Sequence, residues 1–243
     1  MNVYWVEQKE ADVPAANDWL SANEAFCLSG LRIAKRRTDW RLGRWTAKCA
    51  LSAYLEMPAN PQVFNKIEIR PAPSGAPEAF FGEQPAAVTI SLSHRSGVAI
   101  CAVAMSGVEM GCDLEMIEPR SDAFVADYFT VEEQALVARA STADRTWLVA
   151  LLWSAKESAL KALHEGLRLD TWSVIVNPLA ESFDLNGWSP MSVRYTGGQV
   201  FQGWWQNTGN VVRTVVADPP PDSPFLLRSQ LTFATELPGA CGG

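Results

Sequence analysis

Hydrophobic positions recur with two different periods along this chain, and the changes of period outline its elements. Val3 to Val6 reads as a short strand. From about Ser21 to Leu55 the apolar spacing is helical, interrupted near Gly30 and stopped by Pro58. Ile67 to Ile69 reads as a strand, followed by a loop rich in Pro, Ser and Gly from Pro71 to Pro85. The runs Val88 to Ser93 and Val98 to Ala104 flank a short polar turn and predict a hairpin, and Val108 to Met116 predicts a further strand. Two helices follow. One runs from Thr130 to about Ala140, opened by a Thr-x-x-Glu capping box (Thr130, Glu133); the other runs from Asp144 to about His164 and ends at Gly166.

The last third changes character again. Val174 to Val176, Met191 to Tyr195, Val200 to Gln206 and Val211 to Ala217 are strand-like, separated by Gly197-Gly198 and Asn207-Thr-Gly209. A Pro-rich stretch from Pro219 then leads into a tail expected to be loosely attached. Helices together with antiparallel-looking strands in both halves predict an α+β fold with no strict sequence repeat. The expected division is an N-terminal subdomain over 1–106, a C-terminal subdomain over 107–218 and a tail over 219–243.

Composition narrows the class. The chain has 243 residues, 48% of them hydrophobic and 19% charged, enough to bury a sizeable core and too apolar for a disordered tail. Its formal charge of −7 argues against a general nucleic-acid binder, which needs a net basic surface. Cys27, Cys49, Cys101, Cys112 and Cys241 are scattered, with no Cys-x-x-Cys pair to signal a disulfide framework or a thiolate zinc site. The first residues lack the basic and apolar segments of a signal peptide. The longest apolar run, Val98 to Met105, is too short to span a bilayer. The expected setting is a reducing cytoplasm.

Against this acidic background one segment is strongly basic. Seven of the 20 basic residues lie between Arg32 and Lys48, opposed there only by Asp39. On a helix Arg37, Arg41, Arg44 and Lys48 form one narrow stripe with apolar groups on both sides, which suits a helix lying in a groove and aiming its cations into a cleft. The planar fork of arginine suits phosphate. The same pattern also describes a solvated face.

Three carboxylates are the remaining candidates. In a strand Asp113 and Glu115 project from one face while Cys112, Leu114 and Met116 point the other way. So close a pair repels unless a cation separates it, although a bare Asp-x-Glu is more often solvent-facing strand. Trp153, Glu157, Lys161 and His164 share one arc of the 144–164 helix, where Glu157 and Lys161 also form an ordinary helix-stabilising pair. His164, near the end of that helix, reads as a surface residue that complements its dipole. The hairpin turn holds Ser93-His94-Arg95-Ser96-Gly97, which can bond a phosphate or satisfy the turn's own backbone. No Gly-x-Ser-x-Gly elbow, Walker loop or Gly-x-Gly-x-x-Gly occurs.

Taken in order, Ser91-Leu-Ser-His94, Gly111-Cys-Asp-Leu-Glu115, Phe129-Thr-Val-Glu-Glu133 and Trp153-Ser-Ala-Lys-Glu-Ser158 with Lys161 closely resemble the signatures of Sfp-type 4′-phosphopantetheinyl transferases. Arg36-Arg37 and Gly43-Arg44-Trp45 are similar to that family's upstream basic motif. The resemblance covers roughly residues 20 to 176. It implies a pseudo-dimer of two similar α/β subdomains, each an antiparallel sheet packed with helices, with coenzyme A bound between them. By the same resemblance Asp113, Glu115 and Glu157 would ligate Mg²⁺. Arg36, Arg37, Arg44, Ser93, His94 and Lys161 would hold the phosphates of coenzyme A. Glu157 would be the catalytic base, directly or through a water, with Lys161 also catalytic. The expected protein is a monomer acting on an apo acyl, peptidyl or aryl carrier protein, with no nucleic-acid or membrane partner.

The chain departs from the family pattern in places. Gly75-Ala-Pro77 stands where many relatives have Gly-Lys-Pro, so that lysine's phosphate contact is missing. Arg95 extends the usual Ser-His-Ser-Gly turn, as a substitute cation or as an exposed side chain. Ala22 to Ser29 lacks the basic residues often found before the arginine pair. Two other readings compete: a non-catalytic coenzyme A or carrier-protein binding module, and a metal-dependent phosphohydrolase.

Overall fold

The computed structural model describes residues 1–179 and 187–227. Its elements in chain order are β1 (Tyr4–Lys9), α1 (Ala22–Gly30), α2 (Ala34–Tyr54), α3 (Pro61–Phe64), β2 (Ile67–Pro71), β3 (Pro77–Phe81), β4 (Gln84–Pro85), β5 (Val88–Arg95), β6 (Val98–Met105) and β7 (Glu109–Met116). They continue with α4 (Asp122–Tyr128), α5 (Val131–Arg139), α6 (Thr142–Ala162), β8 (Val174–Pro178), β9 (Ser189–Tyr195), β10 (Val200–Thr208), β11 (Val211–Asp218) and β12 (Phe225–Leu226). The fold is α+β. One sheet has the order β12-β1-β6-β5, a second the order β7-β11-β10-β9-β8, and β2-β3-β4 make a small third. Among the described residues every pairing is antiparallel except that of β1 with β12.

Three apolar clusters set the layering. Val6, Trp45, Leu51, Cys101 and Val103 pack α2 onto the first sheet, and Leu151, Ala155, Val193, Phe201 and Val216 pack α6 onto the second. Trp5, Ile100, Ala102, Met110, Cys112, Leu114 and Val215 fill the space between the sheets. β6 is thus covered on both faces, which explains its unbroken apolar run. The alternation read for β7 is present: Met110, Cys112 and Leu114 face the other sheet, and Gly111 faces α6.

The two long helices are anchored by one repeated design. Glu24 closes a capping box on Ser21, its Oε1 accepts from Ile69 N at 3.1 Å, and buried Lys48 bonds Glu24 and the carbonyls of Trp19 and Phe64. Glu133 closes the equivalent box on Thr130, its Oε1 accepts from Val176 N at 2.8 Å, and buried Lys156 bonds Glu133 and the carbonyls of Thr171 and Val174. Each ammonium also stands over an aromatic ring, Trp19 at 5.5 Å and Phe129 at 5.9 Å. All three donors of each lysine are used, as burial demands. The capping box at Thr130 was legible in the sequence; its long-range lysine was not.

Three expectations need correction. The segment from Pro71 to Pro85 is more than a loop, because β3 and β4 extend β2 into a small sheet. Its prolines hid the pattern, and they are tolerated because Pro71 ends β2, Pro73 lies in the turn, Pro77 opens β3 and Pro85 sits in the edge strand β4. α4, capped by Ser121, precedes Thr130 in a stretch with no helical reading. The start of the tail is attached: Phe225 N donates to Val3 O at 2.9 Å and Leu227 N to Trp5 O at 2.8 Å, so β12 edges the first sheet. Residues 228–243, with Cys241, lie outside the described residues.

Candidate active site

β5 and β7 run side by side where the two sheets meet, joined by Ser91 Oγ, which accepts from Cys112 N at 2.9 Å. Further along β5, Ser93 Oγ donates to Asp113 Oδ1 at 2.7 Å. From α6, Lys161 Nζ donates to the same oxygen at 2.8 Å and to Cys112 O at 3.0 Å. α6 comes this close because Gly111 faces it: a Cβ there would stand 1.8 Å from Ser158 O. Asp113 and Glu115 are only 4% and 8% exposed, which rules out a solvated strand face.

Ser93, His94, Asp113, Glu115, Glu157 and Lys161 line one cleft of about 470 Å³. Burial pushes the Glu157 carboxyl up to about 6, with Asp113 and Glu115 adding and Lys161 opposing. Glu115 is raised by burial and then by Asp113, against the pull of Arg95 and Arg120. For Lys161 burial works against the ammonium, but Asp113 and Cys112 outweigh it and raise the group overall. Burial lowers His94, with Lys161 adding to that effect and Asp39 opposing it, which favours neutral imidazole at neutral pH.

His94 and Leu92 also line a second cavity of about 610 Å³, together with Arg36, Trp40, Arg44, Gly75 and Pro77. The Arg44 guanidinium lies 4.6 Å over the Trp40 ring. Gly75 sits at φ +93°, a conformation that favours glycine, where the 72–77 segment borders the cavity. Arg168 Nη2 fastens that segment through Ser74 O at 3.2 Å.

The basic stripe of α2 does not enter the cleft as a unit. Arg37 Nη1 donates to Leu28 O at 2.8 Å and Leu31 O at 3.1 Å, so it caps the end of α1. Arg41 bonds the carbonyls of Pro14, Ala15 and Ala16, and Lys48 is the buried anchor described above. Of the stripe only Arg44 lines the cavity, joined by Arg36 from outside it. His164 adopts φ +57° just past α6 and lines a smaller cavity with Lys161, Leu92 and Gly75. Sequence reading missed Arg120, which stands 3.3 Å from Glu115, and the pairing of Arg95 with Glu118 at 2.6 Å. No periodicity or motif marks either contact.

Among the described residues no three His, Cys, Asp or Glu side chains are grouped as a complete metal cage. The donor set nevertheless suits Mg²⁺, which keeps waters and commonly takes one or two carboxylates plus phosphate oxygens. Asp113 Oδ2 is buried with no hydrogen-bond partner, and two further carboxylates with raised proton affinity line the same cleft. A cation shared between these groups and a phosphate would satisfy all three.

No curated protein matches this chain. Among solved structures it is similar to a holo-(acyl-carrier-protein) synthase from Bacillus anthracis str. Ames in complex with CoA (3′,5′-ADP). The identity is 24% over 43% of this chain and 94% of that one, with a TM-score of 0.36. Residues 109–214, which include Asp113, Glu115, Glu157 and Lys161, match the model of the 4′-phosphopantetheinyl transferase superfamily.

Proposed function

We propose that this chain is an Sfp-type enzyme that transfers 4′-phosphopantetheine from coenzyme A to a serine of an apo acyl, peptidyl or aryl carrier protein, releasing 3′,5′-ADP. The observation that carries this reading is the convergence of Asp113, Glu115, Glu157, Lys161 and His94 on one cleft, which shares His94 and Leu92 as lining with the arginine-lined cavity. The superfamily match over 109–214 supports it.

Asp113, Glu115 and Glu157 would hold Mg²⁺, whose contribution when bound is to neutralise charge on the phosphate oxygens. Arg36 and Arg44, at the far side of His94, bind the phosphates of coenzyme A; Arg37, committed to the end of α1, does not take part. Neutral His94 would hydrogen-bond the pyrophosphate, and Ser93 would join it by turning its one hydroxyl proton from Asp113 to a phosphate oxygen. The serine Oγ of the carrier attacks the β-phosphorus as the bond from that phosphorus to the bridging oxygen breaks. The hydroxyl proton passes to Glu157, directly or through a water. The Lys161 ammonium, oriented by Asp113 at 2.8 Å, meets the charge growing on the departing bridging oxygen. No covalent enzyme intermediate is required, in keeping with the buried, proton-retaining thiols of Cys101 and Cys112.

The test is chromatographic assay of 3′,5′-ADP from coenzyme A and Mg²⁺ with and without an apo carrier. Release that depends on the carrier is the expected result. Release without a carrier would point to phosphohydrolase chemistry. Calorimetric binding of coenzyme A with no release would point to a binding module.

A further inference from the structure

Glu115 shares its edge of the cleft with two guanidinium groups. Its Oε2 lies 3.3 Å from Arg120 Nη2 and 3.7 Å from Arg95 Nε. Both arginines also hold Glu118: Arg95 Nη2 donates to Oε1 at 2.6 Å, and Arg120 Nη2 stands 3.4 Å from the same oxygen. Arg120 is steadied by the Phe124 ring, 5.0 Å from its guanidinium carbon, and Arg95 ends β5 beside His94. Two cations are thus divided between a buried carboxylate and one that is 45% exposed.

A buried carboxylate requires a counter-cation, and Arg95 with Arg120 supply it. A divalent ion on Glu115 would compete with them for the same oxygen. Glu118 and the oxygens of a phosphate are the alternative partners within their reach, so the exchange leaves neither guanidinium unpaired. We propose that Arg95 and Arg120 are exchangeable counter-cations of Glu115, which yield it to a divalent ion by moving onto Glu118 and onto the phosphates of the bound substrate. The inference rests on the metal reading given above. Its consequence is coupling: the divalent ion binds weakly to the protein alone and tightly with coenzyme A. Coenzyme A in turn binds more tightly with the ion, by the same factor.

The test titrates Mn²⁺ into the full chain by calorimetry, first without and then with coenzyme A. Without coenzyme A, Arg95→Gln and Arg120→Gln each bind Mn²⁺ about tenfold more tightly than wild type, because one competing charge at contact distance is gone. Glu118→Gln shifts affinity the other way, because the arginines lose their alternative partner. Adding coenzyme A tightens Mn²⁺ binding more in wild type than in either arginine variant. Unchanged or weaker Mn²⁺ binding in both arginine variants overturns the proposal, as does Mn²⁺ binding that stays undetectable in every protein with coenzyme A present. Failure of the transferase reading would show separately, as wild type that modifies no carrier.

Discussion

Replacing Glu157 with Gln is expected to stabilise the protein while abolishing its transfer activity. The carboxyl is pushed from 4.5 to about 6 by burial and by Asp113 and Glu115. An acid whose proton affinity is raised by folding is protonated more readily in the folded chain than in the unfolded one. Its favourable contribution is therefore full below about pH 4.5 and lost as pH rises through about 6. A shift of about 1.5 units corresponds to about 2 kcal/mol of destabilisation at pH 7 and above. Gln carries no charge at any pH, so the variant regains up to that amount. In a chain of 243 residues this raises Tm by about 4–8 °C. The assay is thermal or urea denaturation in a chelating buffer, with wild type and variant compared at pH 5 and pH 8. The gain should be large at pH 8 and less than half as large at pH 5. A variant less stable than wild type at pH 8, or a gain that ignores pH, would refute this electrostatic assignment of Glu157.

Lys156→Met leaves Glu133 buried and charged without its cation and should cost about 3–5 kcal/mol in urea denaturation, with Lys48→Met comparable through Glu24; a loss under about 1 kcal/mol would show that neither pair anchors its helix. Gly111→Ala puts a methyl against Ser158 O and forces α6 off β7, so denaturation should show a loss of about 3 kcal/mol, contradicted by wild-type stability. Arg44→Ala should weaken coenzyme A binding about tenfold in calorimetry. Arg37→Ala should leave that affinity nearly unchanged while lowering Tm, and equal losses of affinity in the two variants would contradict the division drawn between them.

What the sequence made legible follows from the range over which each signal acts. The alternation in β7 and the arc of Trp153, Glu157 and Lys161 on α6 are local periodicities, so the candidate carboxylates could be placed on faces before any fold was known. A helical stripe shows which residues share a face, not what that face meets. Arg37, Arg41 and Lys48 therefore read as cleft cations, although the end of α1, the 14–16 carbonyls and Glu24 claim them. Lys156 was passed over beside Glu157 because its partner Glu133 belongs to another helix. The pairs of Arg95 with Glu118 and Arg120 with Glu115 join the end of β5 and the segment after β7 to the cleft, and only the packed fold brings those groups together. In β3 and β4, prolines that usually punctuate loops concealed an edge of sheet.

The most direct measurement is intact-mass analysis of a panel of apo acyl, peptidyl and aryl carrier proteins incubated with coenzyme A, Mg²⁺ and the wild-type chain. The expected result is one phosphopantetheine adduct per carrier on at least one member of the panel, absent with Glu157→Gln. A panel that stays entirely in the apo form, or an adduct formed equally well by Glu157→Gln, would contradict the central claim.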